Sequence, residues 1–229
     1  MLTVLIPAYN EAYRIAPTLS GLAKWAKRRR VGVIVVSDGN DATDAVCRAS
    51  ASMFSPPLKV LSFSHRMGKG AAIVEGFRNS RGDVLSFDAD SSIELSEISR
   101  MQKLLGTADI VIASRRSAGS RAIGKIPFYR SCLSLIFNSL VRLLFSLPYS
   151  DTQCGYKLYS ARAVRKLSGF PFSSSGYEWD VEMLVAAKKL GLKVVECPVA
   201  WKYRAGGKAR PLDLLRMVLG LVRLRLRYL

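Results

Sequence analysis

Val84-Leu85-Ser86-Phe87-Asp88-Ala89-Asp90 decides how the rest of the chain is read, because a short apolar run ends in two carboxylates one residue apart. A run of this length suits a strand, and the acids then mark its carboxyl end. Comparable runs lie on either side, at Leu2 to Ile6, Val31 to Val36, Leu58 to Phe63 and Ile110 to Ala113, and the run around the acids begins at Asp83. Being apolar on consecutive residues, they suit strands buried on both faces. Helical patterns fill the gaps at 11–28, 42–54, 69–79 and 94–105. That alternation predicts an α/β fold with a Rossmann-like, mostly parallel sheet flanked by helices. Ligands of such sheets bind beyond the carboxyl ends of the strands, which directs attention to Pro7 to Glu11, Ser37 to Asp41, Asp88 to Asp90 and Ser114 to Arg116.

After residue 114 the pattern changes. A basic loop leads into the apolar stretch Ser131 to Leu147 and then Asp151-Thr152-Gln153-Cys154-Gly155-Tyr156-Lys157. A helix around 178–190, a strand around 193–198 and a second basic loop precede a terminal helix from Pro211. The chain has 229 residues, 49% hydrophobic and 23% charged, which supports a substantial core and argues against disorder. Its formal charge of +18 is uneven. Residues 1–110 hold 14 basic and 11 acidic side chains, a net of +3, whereas residues 111–229 hold 21 and 6, a net of +15. An anion is expected to meet the second half: nucleic acid, a membrane surface or a phosphorylated substrate. Cys47, Cys132, Cys154 and Cys197 form no CxxC pair and are read as reduced thiols in a cytosolic protein. The first residues read as a strand rather than a signal peptide, and no stretch reaches the length of a spanning helix.

Several motifs carry chemistry. Asp88 and Asp90 at a strand end can hold a divalent metal, Mg²⁺ or Mn²⁺, that bridges a substrate's phosphates; the alternative is a solvated turn assisted by Ser91 and Ser92. Pro7-Ala8-Tyr9-Asn10-Glu11 also follows a strand, and Tyr9 offers a ring and Glu11 an acceptor to a nucleotide. Its plainer reading is a helix start capped by Asn10. Asp38, after the second strand, can accept from a base or a ribose, or it sits in a turn. Gly68-Lys69-Gly70 precedes a helix and can hold phosphate through backbone amides and Lys69, but its spacing is not that of a P-loop.

In this order the motifs resemble a family 2 glycosyltransferase of the GT-A fold, most closely the polyprenyl-phosphate branch with the dolichyl-phosphate mannose and glucose synthases. The resemblance runs through Ile6-Pro7-Ala8-Tyr9-Asn10-Glu11, Ser37-Asp38-Gly39-Asn40, Gly68-Lys69-Gly70, Phe87-Asp88-Ala89-Asp90 and Ala113-Ser114-Arg115. It continues in the Asp151 to Leu158 run and in Tyr177-Glu178-Trp179-Asp180-Val181-Glu182. It implies a metal-dependent, inverting transfer of a hexose from a nucleotide sugar, UDP-glucose or GDP-mannose, to dolichyl or polyprenyl phosphate. Pro7, Ala8, Tyr9, Asn10, Glu11, Asp38, Lys69, Asp88, Ala89 and Asp90 are then the donor-binding residues. Arg115 and Arg130 fall where the family places arginines and are expected at the acceptor phosphate, with Asp88 and Asp90 completing the catalytic set. Asp151 and the Glu178, Asp180 and Glu182 cluster are expected to organise the acceptor side, with Asp180 as the functional member; the alternative is buried structural pairing. Ser37 stands where the family commonly has an acid, and Ser92 where mannose synthases often have glutamine.

A polyprenyl phosphate is already ionised and needs no general base, in keeping with a single histidine, His65, read as structural at a strand end. Arg204 and Lys208 flank a Gly-Gly pair and are expected to close over the diphosphate. In the terminal segment Arg216, Arg223 and Arg227 share one helical face while Leu212, Leu215, Leu219, Val222 and Leu226 occupy the rest, the pattern of a helix lying on anionic headgroups; the alternative is a helix docked on the domain with its arginines exposed. The expected organisation is a transferase domain over 1–210, with a nucleotide-sugar half at 1–114 and an acceptor half at 115–210, then a basic amphipathic helix at 211–229. A peripheral position on the cytoplasmic face of a membrane follows, with room for a membrane-anchoring partner subunit. The competing expectations are a transferase with a sugar hydroxyl acceptor and, more distantly, a nucleic-acid-binding α/β protein, although no recognition motif for nucleic acid occurs.

Overall fold

The structure is a computed structural model and describes residues 1–174, 176, 178–203 and 211–228, without the side chains of Arg130 and of 211–216. Its strands are β1 (Leu2–Ala8), β2 (Val31–Ser37), β3 (Lys59–Ser62), β4 (Asp83–Ser86), β5 (Ile110–Ser114), β6 (Arg121–Ile123), β7 (Lys157–Tyr159), β8 (Val194–Pro198) and β9 (Ala200–Lys202). Seven of them form one sheet in the order β3-β2-β1-β4-β7-β5-β8, and β6 pairs with β9 separately. Register aligns Ala8 with Ser37 and Leu5 with Ser86, so the chain leaves β1, β2 and β4 along one edge.

The helices are α1 (Ala12–Ala26), α2 (Thr43–Ala49), α3 (Lys69–Asn79), α4 (Glu97–Leu105), α5 (Phe128–Phe145), α6 (Ala161–Ser168), α7 (Trp179–Lys189) and α8 (Pro211–Tyr228). Side chains alternate across each strand, so Leu5, Val84 and Ile112 join one core with α3, α5, α6, α7 and α8. Val4, Leu85 and Val111 join the other with α1, α2 and α4. Each fully buried Leu, Ile or Val stabilises this three-layer packing by about 1.5–3 kcal/mol.

The parallel strands and their helices follow the sequence reading, with several differences, among them α6 and the β6–β9 pair, which that reading did not contain. β7 was not anticipated: it lies between β4 and β5 and runs antiparallel to both. The predicted helix over 42–54 is α2 followed by a short 3-10 turn, Ala51–Met53. α5 begins at Phe128, so Arg130 lies within its first turn rather than ahead of it.

α7 is buried from Trp179 to Ala187, and it carries two acids, Asp180 and Glu182, into the core. α8 docks on the domain through Leu221 and Leu224, packs against α5, and leaves Leu219, Val222, Leu226 and Arg223 outward. Among the described residues no helix is long and apolar enough to cross a membrane.

Candidate active site

The loops after β1 and β2 are tied to each other. Asn10, at φ +52°, accepts from the Asn40 amide at 2.9 Å, and its own Nδ2 donates to Asn40 Oδ1 at 3.2 Å. Gly39 permits this approach, since a Cβ there would lie 2.3 Å from Asn10 Oδ1. Asn10 therefore does not cap α1. The amides at the helix start are met from the neighbouring loop, Ala12 donating to Asp41 Oδ2 at 3.2 Å and Glu11 to Thr43 Oγ1 at 2.8 Å. Glu11 pairs with Arg14 at 2.8 Å. Asp38 is buried and accepts from the amides of Met67 and Gly68 at 2.9 and 3.0 Å, which sets the entry to α3. The Gly68 amide is thus directed at a carboxylate instead of at a phosphate.

β7 brings the Asp151 to Lys157 run to the same edge, because an antiparallel strand begins where its parallel neighbours end. Gly155 then lies against Asp88, where a Cβ would come within 2.2 Å of the carboxylate. Asp90 accepts from the Ser92 amide at 3.0 Å, and Ala89 carbonyl accepts from Thr18 Oγ1 at 2.7 Å, so the two acids are presented on a fixed turn. Burial raises the Asp88 pKa, Lys69 at 4.0 Å offsets part of this, and Asp90 and Asp180 add to it.

Behind Asp88 lies a lysine pair. Asp180 accepts from Lys69 Nζ at 3.0 Å on one oxygen and from Lys157 Nζ on the other. Lys157 is 1% exposed and also donates to the Cys154 carbonyl at 2.6 Å. Burial opposes ionisation of Asp180, but the two lysines outweigh it and its pKa is lowered. Burial likewise opposes the charge on Lys69, and Asp180 with Asp88 outweighs it, so the ammonium persists above its ordinary range.

Arg115 follows β5 and is held by Asp151, which accepts from its amide at 3.0 Å, from Nε at 2.7 Å and from Nη2 at 3.0 Å. Its guanidinium also lies 5.6 Å from the Trp201 ring centroid. Burial alone would raise the Asp151 pKa; Arg115 reverses the direction. Arg66 stacks over the Tyr9 ring at 4.3 Å.

Pro7, Ala8, Tyr9, Glu11, Asp38, Lys69, Asp88, Ala89, Asp90, Arg115 and Asp180 all line one cavity of about 550 Å³. Asn10 and Asp151 are not among its lining residues; each holds a neighbour that is, or the loop beside it. Arg204, Lys208 and Tyr177, together with the Arg130 side chain, lie outside the described residues. Sequence reasoning missed Arg14, Arg66, Ser134, Gln153, Gly155 and Met217 on the wall, and Lys157 beneath it. The one signal for Lys157 is a lysine set in the apolar run Tyr156-Lys157-Leu158-Tyr159, which calls for a buried partner only once that run is known to be a strand. Arg66 had none. His65 is exposed in the loop after β3, which corrects its reading as a structural residue at a strand end. All four cysteines are free.

The donor set fits a divalent cation: two carboxylates on a turn fixed by the Ser92 amide and Thr18, and a glycine that keeps space at one of them. Among the described residues no group of three His, Cys, Asp or Glu side chains converges as a closed metal site. Any further ligands would come from substrate or water.

Residues 3–168 match the family described as Glycosyl transferase family 2. Proteins named dolichyl-phosphate beta-glucosyltransferase are similar along nearly the whole chain. The Drosophila melanogaster protein is 33% identical over 92% of this chain and 69% of its own length. The Homo sapiens protein is 30% identical over 100% and 76%, and that of Saccharomyces cerevisiae 29% identical over 100% and 75%. Among solved structures, glucosyl-3-phosphoglycerate synthase from Mycobacterium tuberculosis, in complex with Mn²⁺, uridine diphosphate and phosphoglyceric acid, superposes with a TM-score of 0.72 at 20% identity, covering 100% of this chain and 78% of that one. Mannosyl-3-phosphoglycerate synthase from Rubrobacter xylanophilus gives 0.70 at 20% identity, over 99% and 73%. These neighbours share the GT-A fold.

Proposed function

The chain belongs to glycosyl transferase family 2, and from that premise we propose that it moves glucose from UDP-glucose to dolichyl phosphate, with Mg²⁺ or Mn²⁺ at Asp88 and Asp90. The names of the similar proteins support the sugar and the lipid. One observation carries the acceptor reading: Asp180, the buried acid on the cavity wall beside Asp88, is neutralised by Lys69 and Lys157. A carboxylate held by two ammonium groups is a poor base. A sugar hydroxyl would need one, whereas a phosphate monoester arrives already ionised and needs only orientation and charge compensation.

The roles follow from position. Asp38 and the Asn10–Asn40 tie shape the floor on which Tyr9 and Glu11 meet the nucleoside. Asp88 and Asp90 hold the cation, which when bound neutralises charge developing on the leaving diphosphate. Lys69, pinned by Asp180, adds a fixed positive charge beside that diphosphate. Arg115 binds the acceptor phosphate, its plane set by Asp151. A phosphate oxygen then attacks the anomeric carbon as the bond from that carbon to the diphosphate oxygen breaks, with inversion. Arg130, Arg204 and Lys208 remain assigned to the same two phosphates.

The acceptor is a lipid, and the outer faces of α5 and α8 suit a bilayer surface. Phe128, Leu143 and Leu226 are 83%, 80% and 81% exposed, and Arg223, Arg225 and Arg227 are exposed on α8 with Leu226. That combination fits shallow insertion among anionic headgroups on the cytoplasmic face, with or without an anchoring subunit. The division into a donor half at 1–114, an acceptor half at 115–210 and an interfacial helix at 211–229 belongs to this reading.

Radiolabelled UDP-glucose or GDP-mannose is incubated with dolichyl phosphate in the presence of Mn²⁺ or of EDTA, and label is counted in the organic phase. Label is expected from UDP-glucose with Mn²⁺ and not with EDTA. Transfer from GDP-mannose alone, or into water-soluble sugars alone, overturns the reading.

A further inference from the structure

One polar side chain inside the apolar stretch of α5, Asn138, makes an unusually dense set of contacts. Asn138 reaches the turn that precedes β7 and engages it four times. Its Nδ2 donates to the carbonyls of Ser150 at 2.9 Å and Tyr149 at 3.4 Å. Its Oδ1 accepts from Thr152 Oγ1 at 2.9 Å and from the Thr152 amide at 3.3 Å. From the other side, Glu196 on β8 accepts from Ser150 Oγ at 2.6 Å, from the Ser150 amide at 3.0 Å and from the Asp151 amide at 3.1 Å. The residue between these two grips is Asp151, whose carboxylate sets Arg115 through three hydrogen bonds.

The geometry points to Asn138 and Glu196 as paired positioning residues that hold the 150–152 turn and, through Asp151, aim Arg115 at the acceptor phosphate. Neither lines the cavity, so each acts on it through the turn, which carries Asp151 and, through it, Arg115. Both side chains span elements that the turn would not otherwise connect: α5 on one side and β8 on the other. A turn of this length has few internal hydrogen bonds of its own, and its backbone groups are satisfied by these two side chains. The assignment of Arg115 to the acceptor rests on the function proposed above; the strut itself does not.

The test uses the full chain labelled with ¹⁵N-arginine. The Arg115 Nε–H resonance is identified by its loss in Arg115→Lys, and its solvent exchange is measured in Asn138→Leu, which keeps size and suits a helix. Exchange is expected to rise about tenfold or more as Asp151 loosens, and Glu196→Gln is expected to act in the same direction should Asn138→Leu fail to fold. Ser139→Ala, on the exposed side of α5, is expected to leave it at the wild-type rate. In parallel, the KM for dolichyl phosphate should rise on the order of tenfold in Asn138→Leu, the scale of a small misplacement of a binding group, while the KM for UDP-glucose changes less than about twofold. Asn138→Asp keeps the oxygen that Thr152 uses and should recover part of the acceptor KM. An unchanged Arg115 exchange rate, or equal changes in both KM values, overturns the strut. Faster exchange in a protein whose wild type transfers nothing to dolichyl phosphate upholds the strut and removes the acceptor assignment instead.

Discussion

Asp88 keeps its place on the cavity wall, where the proposed function has it hold a cation, only while nothing stands at Gly155. An added methyl would begin 2.2 Å from the carboxylate, so Gly155→Ala must push Asp88 out of the cavity. The atom displaced is the end of a side chain, and the cost in stability should stay at about 1 kcal/mol. Activity is different, because a ligand displaced by an ångström no longer meets the cation and diphosphate together: kcat/KM for UDP-glucose should fall on the order of a hundredfold. Steady-state assays over a Mn²⁺ series check this, with excess metal expected to restore only part of the loss. At this scale the sequence exposed the acids well, since Asp88 and Asp90 follow an apolar run and line the cavity as that position implies. It exposed their partners poorly. Asp151 and Asp180 stand out in the sequence as acids in distinctive runs, but nothing there shows that one holds Arg115 and the other is shared by two lysines. A pairing across 36 or 111 residues leaves no periodic trace for sequence reading to follow.

Between elements, the seam of α7, α8 and the 173–174 loop is closed by one buried carboxylate. Glu182 is 0% exposed and accepts from Tyr228 Oη at 2.6 Å, from the Ser173 amide and Oγ at 2.9 and 2.8 Å, and from the Ser174 amide at 2.7 Å. Burial opposes its charge, but the bonds from Tyr228 and the two serines outweigh burial, and the pKa falls below the ordinary 4.5. A carboxyl whose folded pKa is depressed stabilises the fold fully above its unfolded value and loses that contribution as pH drops through the folded one. Wild type should therefore exceed Glu182→Gln by about 1.5–3 kcal/mol at neutral pH, the worth of hydrogen bonds to a charged group. Denaturant midpoints measured from pH 7 downward should converge below about pH 4.5, and a constant gap would assign the difference to packing. The elements themselves were unequally legible. β1, β2, β4 and β5 announce themselves as apolar runs because both of their faces are largely buried; β3, at the sheet edge, is exposed at Lys59 and Ser62, contrary to the two-face burial its run suggests; and β7 is three residues long, begins with a lysine and is recognisable only from its neighbours. α8 read as amphipathic, and the structure adds that Leu221 and Leu224 are the side committed to the core.

Over the whole molecule, the charge asymmetry acquires a direction. The half with a net of +3 carries the donor turn, where Asp88 and Asp90 offset the cations, and the half with a net of +15 carries α5, α8 and Arg115. Ser134 of α5 and Met217 of α8 both line the cavity, so the two helices that present apolar side chains outward also form part of its wall. A surface that inserted these helices would bring a lipid-borne phosphate to the cavity mouth without the phosphate leaving the headgroup layer. Each leucine buried in the acyl boundary contributes about 1.5–3 kcal/mol, and each arginine near an anionic surface about 1 kcal/mol. Leu143→Glu combined with Leu226→Glu should therefore reduce partition onto vesicles of phosphatidylcholine and phosphatidylserine on the order of a hundredfold or more. Both side chains are exposed, so the melting temperature and UDP affinity should not move. Transfer to dolichyl phosphate in vesicles should fall with the partition, while transfer to a short, water-soluble isoprenyl phosphate should persist, because the variant alters where the enzyme sits and leaves Arg115, Lys69 and the acids untouched. Equal loss with both acceptors would place Leu143 or Leu226 in the path of the chemistry and remove the bilayer from the account.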